Sequence, residues 1–161
     1  MTERWVINAS PLILLGKSGQ LDWLPQMGEI IIPKAVADEV TAGAPEDPAR
    51  QWIASQIGGA LIREGGTASE DLLGWDLGRG ETAVIAAAME NPSREAVLDD
   101  ASARRCAGVF GLRVRGTLSF VAPAKRRGLV VECRPIFVRL RAAGLFVTPA
   151  LVEQVAQSVG E

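Results

Sequence analysis

Residues 95–105 read EAVLDDASARR: a short apolar run, two adjacent aspartates, Asp99 and Asp100, and then a helix-forming segment with paired arginines. Like charges this close disfavour each other's ionisation. A strand that ends on them needs water, a helix N-terminus or a bound cation to offset the cost. The same order of parts recurs along the chain. WVI (5–7) precedes a helical pattern over 11–17, EIIIP (29–33) precedes 35–41, AVL (96–98) precedes 101–110, and LRV (112–114) precedes 118–127. Repeated strand–helix alternation with near-continuous apolar strands predicts a mainly parallel sheet, because parallel strands need crossovers and right-handed crossovers cover both faces with helices. The expected architecture is therefore a three-layer α/β/α sandwich.

The punctuation agrees with this pattern. Ser10-Pro11 and Thr148-Pro149 place a capping hydroxyl before a proline, Pro33 and Pro135 open other helices, and Thr117 suits a cap for the helix from Leu118. A further helix is expected over 81–90 behind Gly80, and a last one over 149–159 with an apolar face of Leu151, Val152, Val155 and Val159. TAGAPEDP and EGGTASED read as surface loops. A length of 161 residues fits one domain, with the helices from about residue 135 packing on it.

Composition narrows the chemistry. The chain has no histidine, which excludes Ser-His-Asp and Cys-His nucleophilic machinery, HExxH zinc sites and any histidine acid or base. Its two cysteines, Cys106 and Cys133, form no CxxC pattern and read as reduced core thiols. The apolar N-terminal run is broken by Asn8, Ser10 and Pro11, which suits neither a leader peptide nor a membrane span, so a cytoplasmic location is expected. Net charge is unevenly spread. Residues 1–100 hold 7 of the 17 Lys and Arg but 16 of the 19 Asp and Glu, a net of −9, which leaves +7 for residues 101–161. Either the halves neutralise each other on packing, or the basic half meets an anionic partner.

Ligands of parallel α/β sheets collect beyond the carboxyl ends of the strands. Asn8 and Ser10 lie there after the first strand, Asp99 and Asp100 after the AVL run, and Gly116 and Thr117 after LRV, while Glu39 and Glu81 stand on helices able to join them. An oxygen-only, acidic set without histidine suits Mg²⁺ or Mn²⁺. Each residue also has a plainer use: Glu81 as a first-turn charge, Glu39 as a solvated helix residue, Asn8 as a turn or cap, one aspartate as a helix cap. GRGETA (78–83) matches the G-x-G-x-x-G/A dinucleotide fingerprint, but the preceding EDLLGWDL does not read as a strand.

The blocks VINASPLILLGKSGQLDWLPQMGEIIIPKAVADEV (6–40), GRGETAVIAAA (78–88) and AVLDDASARRCAGVFGLRVRGTLSFVAPAKRRGLV (96–130) together resemble the PIN-domain family, in particular its prokaryotic branch of VapC-like toxin nucleases. The resemblance implies an α/β/α fold and Mg²⁺- or Mn²⁺-dependent hydrolysis of RNA phosphodiesters. It places the acidic constellation on Asn8, Glu39, Glu81 and Asp100, with Asp99 beside it. It also implies a homodimer and a small antitoxin protein that blocks the site. The family's usual residue at the first position is aspartate, and Asn8 removes one negative charge from the cation's surroundings. Ser10, Arg104, Arg105, Arg115 and Thr117 are the candidate RNA contacts, with Arg113 and the run Lys125-Arg126-Arg127 as further backbone-binding cations. A PIN-like domain that binds RNA or protein without cleaving it is the alternative.

Overall fold

A computed structural model describes residues 2–161. Five strands, β1 (Arg4–Ile7), β2 (Glu29–Pro33), β3 (Ile62–Arg63), β4 (Arg94–Val97) and β5 (Arg113–Arg115), form one sheet in the order β3-β2-β1-β4-β5. Every pairing is parallel, with Val6 opposite Ile31 on one side and Ala96 on the other. Among the described residues, ten α-helices and a 3-10 turn (Leu24–Met27) connect and cover them: α1 (Ala9–Lys17), α2 (Lys34–Thr41), α3 (Pro48–Ala54), α4 (Gln56–Gly59), α5 (Glu70–Leu73), α6 (Arg79–Met89), α7 (Ala101–Val109), α8 (Thr117–Arg126), α9 (Arg134–Ala142) and α10 (Pro149–Ser158). The result is the expected α/β/α sandwich. α6 crosses β1, β2 and β4 and touches α7, while α1 packs against α3, α8 and α9. Right-handed crossovers require this division, because the chain moves one way from β1 to β3 and the other way from β4 to β5.

β1, β2 and β4 bury apolar side chains on both faces, as central parallel strands must: Val6, Ile7, Ile32, Ala96 and Val97 are fully buried. Trp5 meets Phe120 of α8 edge-to-face at 5.0 Å, and its indole N–H donates to the Met27 carbonyl at 3.2 Å, so the largest core residue leaves no polar atom unpaired. Cys106 and Cys133 are free, buried thiols, and burial pushes Cys133 up to about 11.

Local signals were partly misassigned by the sequence pattern. α1 begins at Ala9, so Ser10 and Pro11 lie inside its first turn, where a proline's missing N–H costs nothing. Thr117 is the first residue of α8 rather than its cap. Thr148 does cap α10, accepting from Leu151 N at 3.2 Å. α3 to α5 and the two-residue strand β3 went unpredicted. α5, not a strand, precedes Gly78, which removes the context a dinucleotide fingerprint needs. Among the described residues no helix is long and apolar enough to cross a membrane.

Candidate functional site

The strand order changes direction between β1 and β4, so the chain leaves their carboxyl ends toward opposite faces and opens a crevice there. Asn8 stands at the end of β1 and Asp99-Asp100 just past the end of β4. Ladder-like bonds extend beyond the strands and fix both: Asn8 N donates to Val97 O at 3.2 Å, and Leu98 N donates to Arg115 O at 2.9 Å. The crevice is an open cavity of about 570 Å³ whose polar wall carries Asn8, Ser10, Glu81, Asp99, Asp100 and Arg104. A smaller cavity of about 350 Å³ shares Asn8, Ser10 and Glu81 and adds Glu39 and Lys17. The predicted acidic set is therefore brought to one place.

Asp99 and Asp100 have different jobs. Asp99 accepts the Thr117 N–H at 2.8 Å on one oxygen and the Thr117 hydroxyl at 2.6 Å on the other. Thr117 is wholly buried, so this clip fixes the start of α8 to the end of β4. Asp100 caps α7, its Oδ2 accepting from Ala103 N at 2.9 Å. It remains exposed at the mouth of the cavity.

Glu81 sits in the first turn of α6, and its Oε2 accepts the Gly78 N–H at 2.9 Å. Burial pushes its carboxyl above the ordinary range. The Gly78 hydrogen bond opposes that shift, and the negative charges of Asp100 and Glu39 add to it. Glu81 thus feels both neighbouring acids. Gly80 explains how Glu39 approaches: a Cβ on Gly80 would stand 3.0 Å from Glu39 Oε2 and 3.2 Å from Asn8 Oδ1, so both oxygens converge over a bare helix backbone.

Asn8 is the neutral member of the set. It occupies the N-cap position of α1 yet makes no side-chain cap bond. At 4% exposure its Oδ1 has no hydrogen-bond partner, a condition that costs about 1–3 kcal/mol unless something supplies a partner. A hard cation would accept this carbonyl oxygen, and the flanking carboxylates are the ligand type such cations select. Among the described residues, no three Asp, Glu, Cys or His side chains stand close enough to form a metal cluster by themselves. The acids lie around a neutral amide, with Glu39 and Asp100 exposed and Asp100 held by its capping bond to α7.

The basic residues divide. Arg104 lines the cavity, its Nη1 2.7 Å from where a Cβ on Gly116 would lie, and it takes part in none of the seven ion pairs among the described residues. Arg105 is exposed on α7 and donates to Ser102 Oγ at 3.1 Å, outside the cavity lining. Arg115 pairs with Glu95 at 3.0 Å and lies 5.6 Å from the Trp5 ring centroid, so it is held within the sheet. Arg113 donates to Ser93 O at 2.7 Å toward the opposite end of the strands. Lys125 pairs with Glu161, and Arg127 with Glu3 at 2.6 Å. The charge division is thus partly consumed internally, by Arg115–Glu95 and Arg127–Glu3. Lys17 was missed by sequence reasoning. It follows Ser10 by seven residues and so shares the α1 face that carries Ser10 and Leu14 to the cavities.

Fold and site together define a parallel α/β/α protein with an acidic, histidine-free crevice at the point where its sheet reverses direction. The DUF3368 family model, described as a PIN domain, matches residues 4–161, and the chain belongs to the PIN-domain family, which is of nuclease type. No curated protein matches the sequence.

Proposed function

We propose that the protein is a Mg²⁺- or Mn²⁺-dependent endoribonuclease that acts in the cytoplasm as the toxin of a toxin–antitoxin pair. The observation that carries the catalytic part is the buried, partnerless Oδ1 of Asn8, a residue that lines the same cavity as Glu81, Asp99 and Asp100. Asn8, Glu39, Glu81 and Asp100 would hold the cation. Bound there, it supplies Lewis-acid chemistry: activation of water and compensation of charge on the phosphate. Arg104, the unpaired cation of the larger cavity, would bind a phosphate oxygen beside the acids. Glu81, whose Oε2 accepts the Gly78 N–H, would hold the cation through Oε1. Asp99 holds Thr117 and so keeps the wall formed by α8 in register with the acids. A small antitoxin that inserts an arginine among these carboxylates would silence the site, and a homodimer is the expected assembly.

The test is calorimetric titration with Mn²⁺ beside an RNA-cleavage assay, for the parent and for Asp100→Asn. Uptake and cleavage by the parent, with both lost in the variant, support the proposal. No uptake at millimolar Mn²⁺ sinks it. A second reading, an RNA- or protein-binding domain without cation, rests on the dispersed acids and on the amide itself: turned by 180°, Asn8 would present Nδ2 instead of Oδ1 on the side of Glu39. That reading expects RNA binding with no dependence on Mn²⁺. Light scattering and co-purification with the product of an adjacent small reading frame test the dimer and the antitoxin.

A further inference from the structure

The lining of the larger cavity is of two kinds. Besides the acids and Arg104 it includes Leu118, Leu145, Phe146 and Leu151. Eight aromatic residues occur in the chain. Seven are buried or half-buried, and Phe146, 102% exposed, is the exception among the described residues. Its ring is nonetheless not on a loose tip. Leu145 beside it is buried and anchors the link between α9 and α10, and Gly144, at φ 114°, makes the turn that L side chains resist. The link therefore presents an aromatic face at the rim of a cavity that already contains the proposed reacting centre.

We infer that Phe146 is a platform on which a base of the bound RNA stacks. The inference rests on the nuclease reading and adds to it a residue that holds the base beside the reacting phosphate. A nucleotide has the same two-sided chemistry as this cavity, a π-faced base and a charged phosphate. The volume of about 570 Å³ lies within the range, ~300–1,000 Å³, of small-ligand pockets. With its phosphate on Arg104 and the acids, a nucleotide directs its base to the apolar wall. Bases in an A-form duplex have no free face to offer, whereas splayed single-stranded bases stack on aromatic side chains. A second copy of this chain, or an apolar side chain of a protein partner, would also cover Phe146. A second copy does not explain why the apolar lining adjoins a polar one holding an unpaired arginine, and a protein partner that binds the parent but not Phe146→Ala, with RNA affinity unchanged, would overturn the inference.

The experiment uses the full chain and a six-nucleotide single-stranded RNA carrying 2-aminopurine, with millimolar Ca²⁺ and again in EDTA, beside the same RNA as a duplex. The proteins are the parent, Phe146→Ala, Phe146→Leu and Phe146→Trp. Because Phe146 is fully exposed, all are expected to fold. Expected are quenching of 2-aminopurine by the parent and by Phe146→Trp, loss of quenching in the alanine and leucine variants, and about tenfold weaker binding by Phe146→Ala, the loss of one base–aromatic stack. The duplex should bind more weakly and without quenching. If the parent binds the single strand and Phe146→Ala binds it equally well, the stacking inference fails while the nuclease reading stands. If the parent binds no RNA, both fail. If Phe146→Ala instead alters self-association by sedimentation, with RNA affinity unchanged, the occupant is a second copy and the inference is overturned.

Discussion

Replacing Asn8 by aspartate probes the site where its electrostatics are least complete. The side chain is 4% exposed, and its Oδ1 shares the space over Gly80 with Glu39 Oε2. In the parent, the amide can turn Nδ2 toward Glu39 when no cation is present, whereas a carboxylate has no such relief. Two unit charges ~5 Å apart at an effective dielectric near 20 repel by about 3 kcal/mol. Protonation sets a ceiling: holding an aspartate neutral at pH 7, some three units above its ordinary pKa, costs about 4 kcal/mol. Asn8→Asp should therefore destabilise the cation-free protein by about 3 kcal/mol, which for this chain length lowers Tm by about 10 °C. The penalty should shrink toward pH 5. The introduced carboxyl has a raised pKa in the folded state, so its relative stability is present at low pH and is lost as pH rises. With Mn²⁺ the penalty should shrink, because the added ligand charge tightens binding, and a cation at a hundred times its Kd returns at most about 2.7 of the roughly 3 kcal/mol. The assay is paired thermal melts in EDTA and in millimolar Mn²⁺, with calorimetry for affinity. A cation-free Tm within 2 °C of the parent (roughly the melting shift of 0.5 kcal/mol), together with unchanged Mn²⁺ affinity, would refute the placement of Asn8 at a cation site.

The other predictions follow from the separate roles of neighbouring residues. Asp99→Ala should cost about 2–4 kcal/mol in urea unfolding, because the N–H and hydroxyl of wholly buried Thr117 both lose their acceptor. Asp100→Asn should change stability by less than about 0.5 kcal/mol, since asparagine caps α7 as well as aspartate does, yet lose at least about tenfold in Mn²⁺ affinity. Gly80→Ala should weaken Mn²⁺ binding by pushing Glu39 and Asn8 apart, while the gain in helix propensity, about 1 kcal/mol, keeps the fold stable. Tighter or equal Mn²⁺ binding by this variant would contradict the convergence of those two oxygens. Glu161→Gln should unfold more readily at pH 7 than the parent, with the difference fading in acid. Burial alone would raise the Glu161 carboxyl, but Lys125 and the N–H groups of Cys133 and Arg134 hold it below its ordinary range. A depressed pKa contributes stability above the unfolded value that is lost as pH falls through the folded one.

The fold was legible where periodicity and punctuation agreed, and it was lost where segments were too short to carry a period. The apolar runs at 29–33 and 96–98 located β2 and β4 because central parallel strands are buried on both faces. β3 has two residues and α4 and α5 four each, too few to separate a strand or helix from a turn. Asn8, Asp99 and Asp100 drew notice as residues at the strand ends of a parallel sheet, and Glu39 and Glu81 as helix acids able to join them, but the partners of the cations were not legible. A sequence shows that Arg104, Arg105 and Arg115 are near Asp100 along the chain. It does not show that Glu95 on the neighbouring strand takes Arg115, or that the α7 helix turns Arg105 away. Phe146 and Lys17 were equally invisible, since one lies on a link between helices and the other reaches the cavity through the α1 face, with no local pattern to mark either.

The paired aspartates of the opening stretch pose a question that their surroundings answer differently from their sequence. Two adjacent carboxylates behind a buried strand suggest that a cation neutralises both. Each is instead compensated locally, Asp99 by the N–H and hydroxyl of Thr117, and Asp100 by the N-terminus of α7. The pair can therefore persist without a cation, and its adjacency alone argues nothing about catalysis. The uncompensated groups lie across the crevice: the Asn8 oxygen with no partner, and Glu81, whose proton is held more tightly by burial and by the charges of Asp100 and Glu39. A cation entering the crevice would gain most on that side, and Asp100, exposed and with one oxygen free of its capping bond, is the aspartate able to turn toward it. Asp99, with both oxygens engaged, is not. The two aspartates should accordingly separate by experiment, Asp99 through stability and Asp100 through cation affinity, and a Mn²⁺ affinity that falls with Asp99 but not with Asp100 would reverse that assignment.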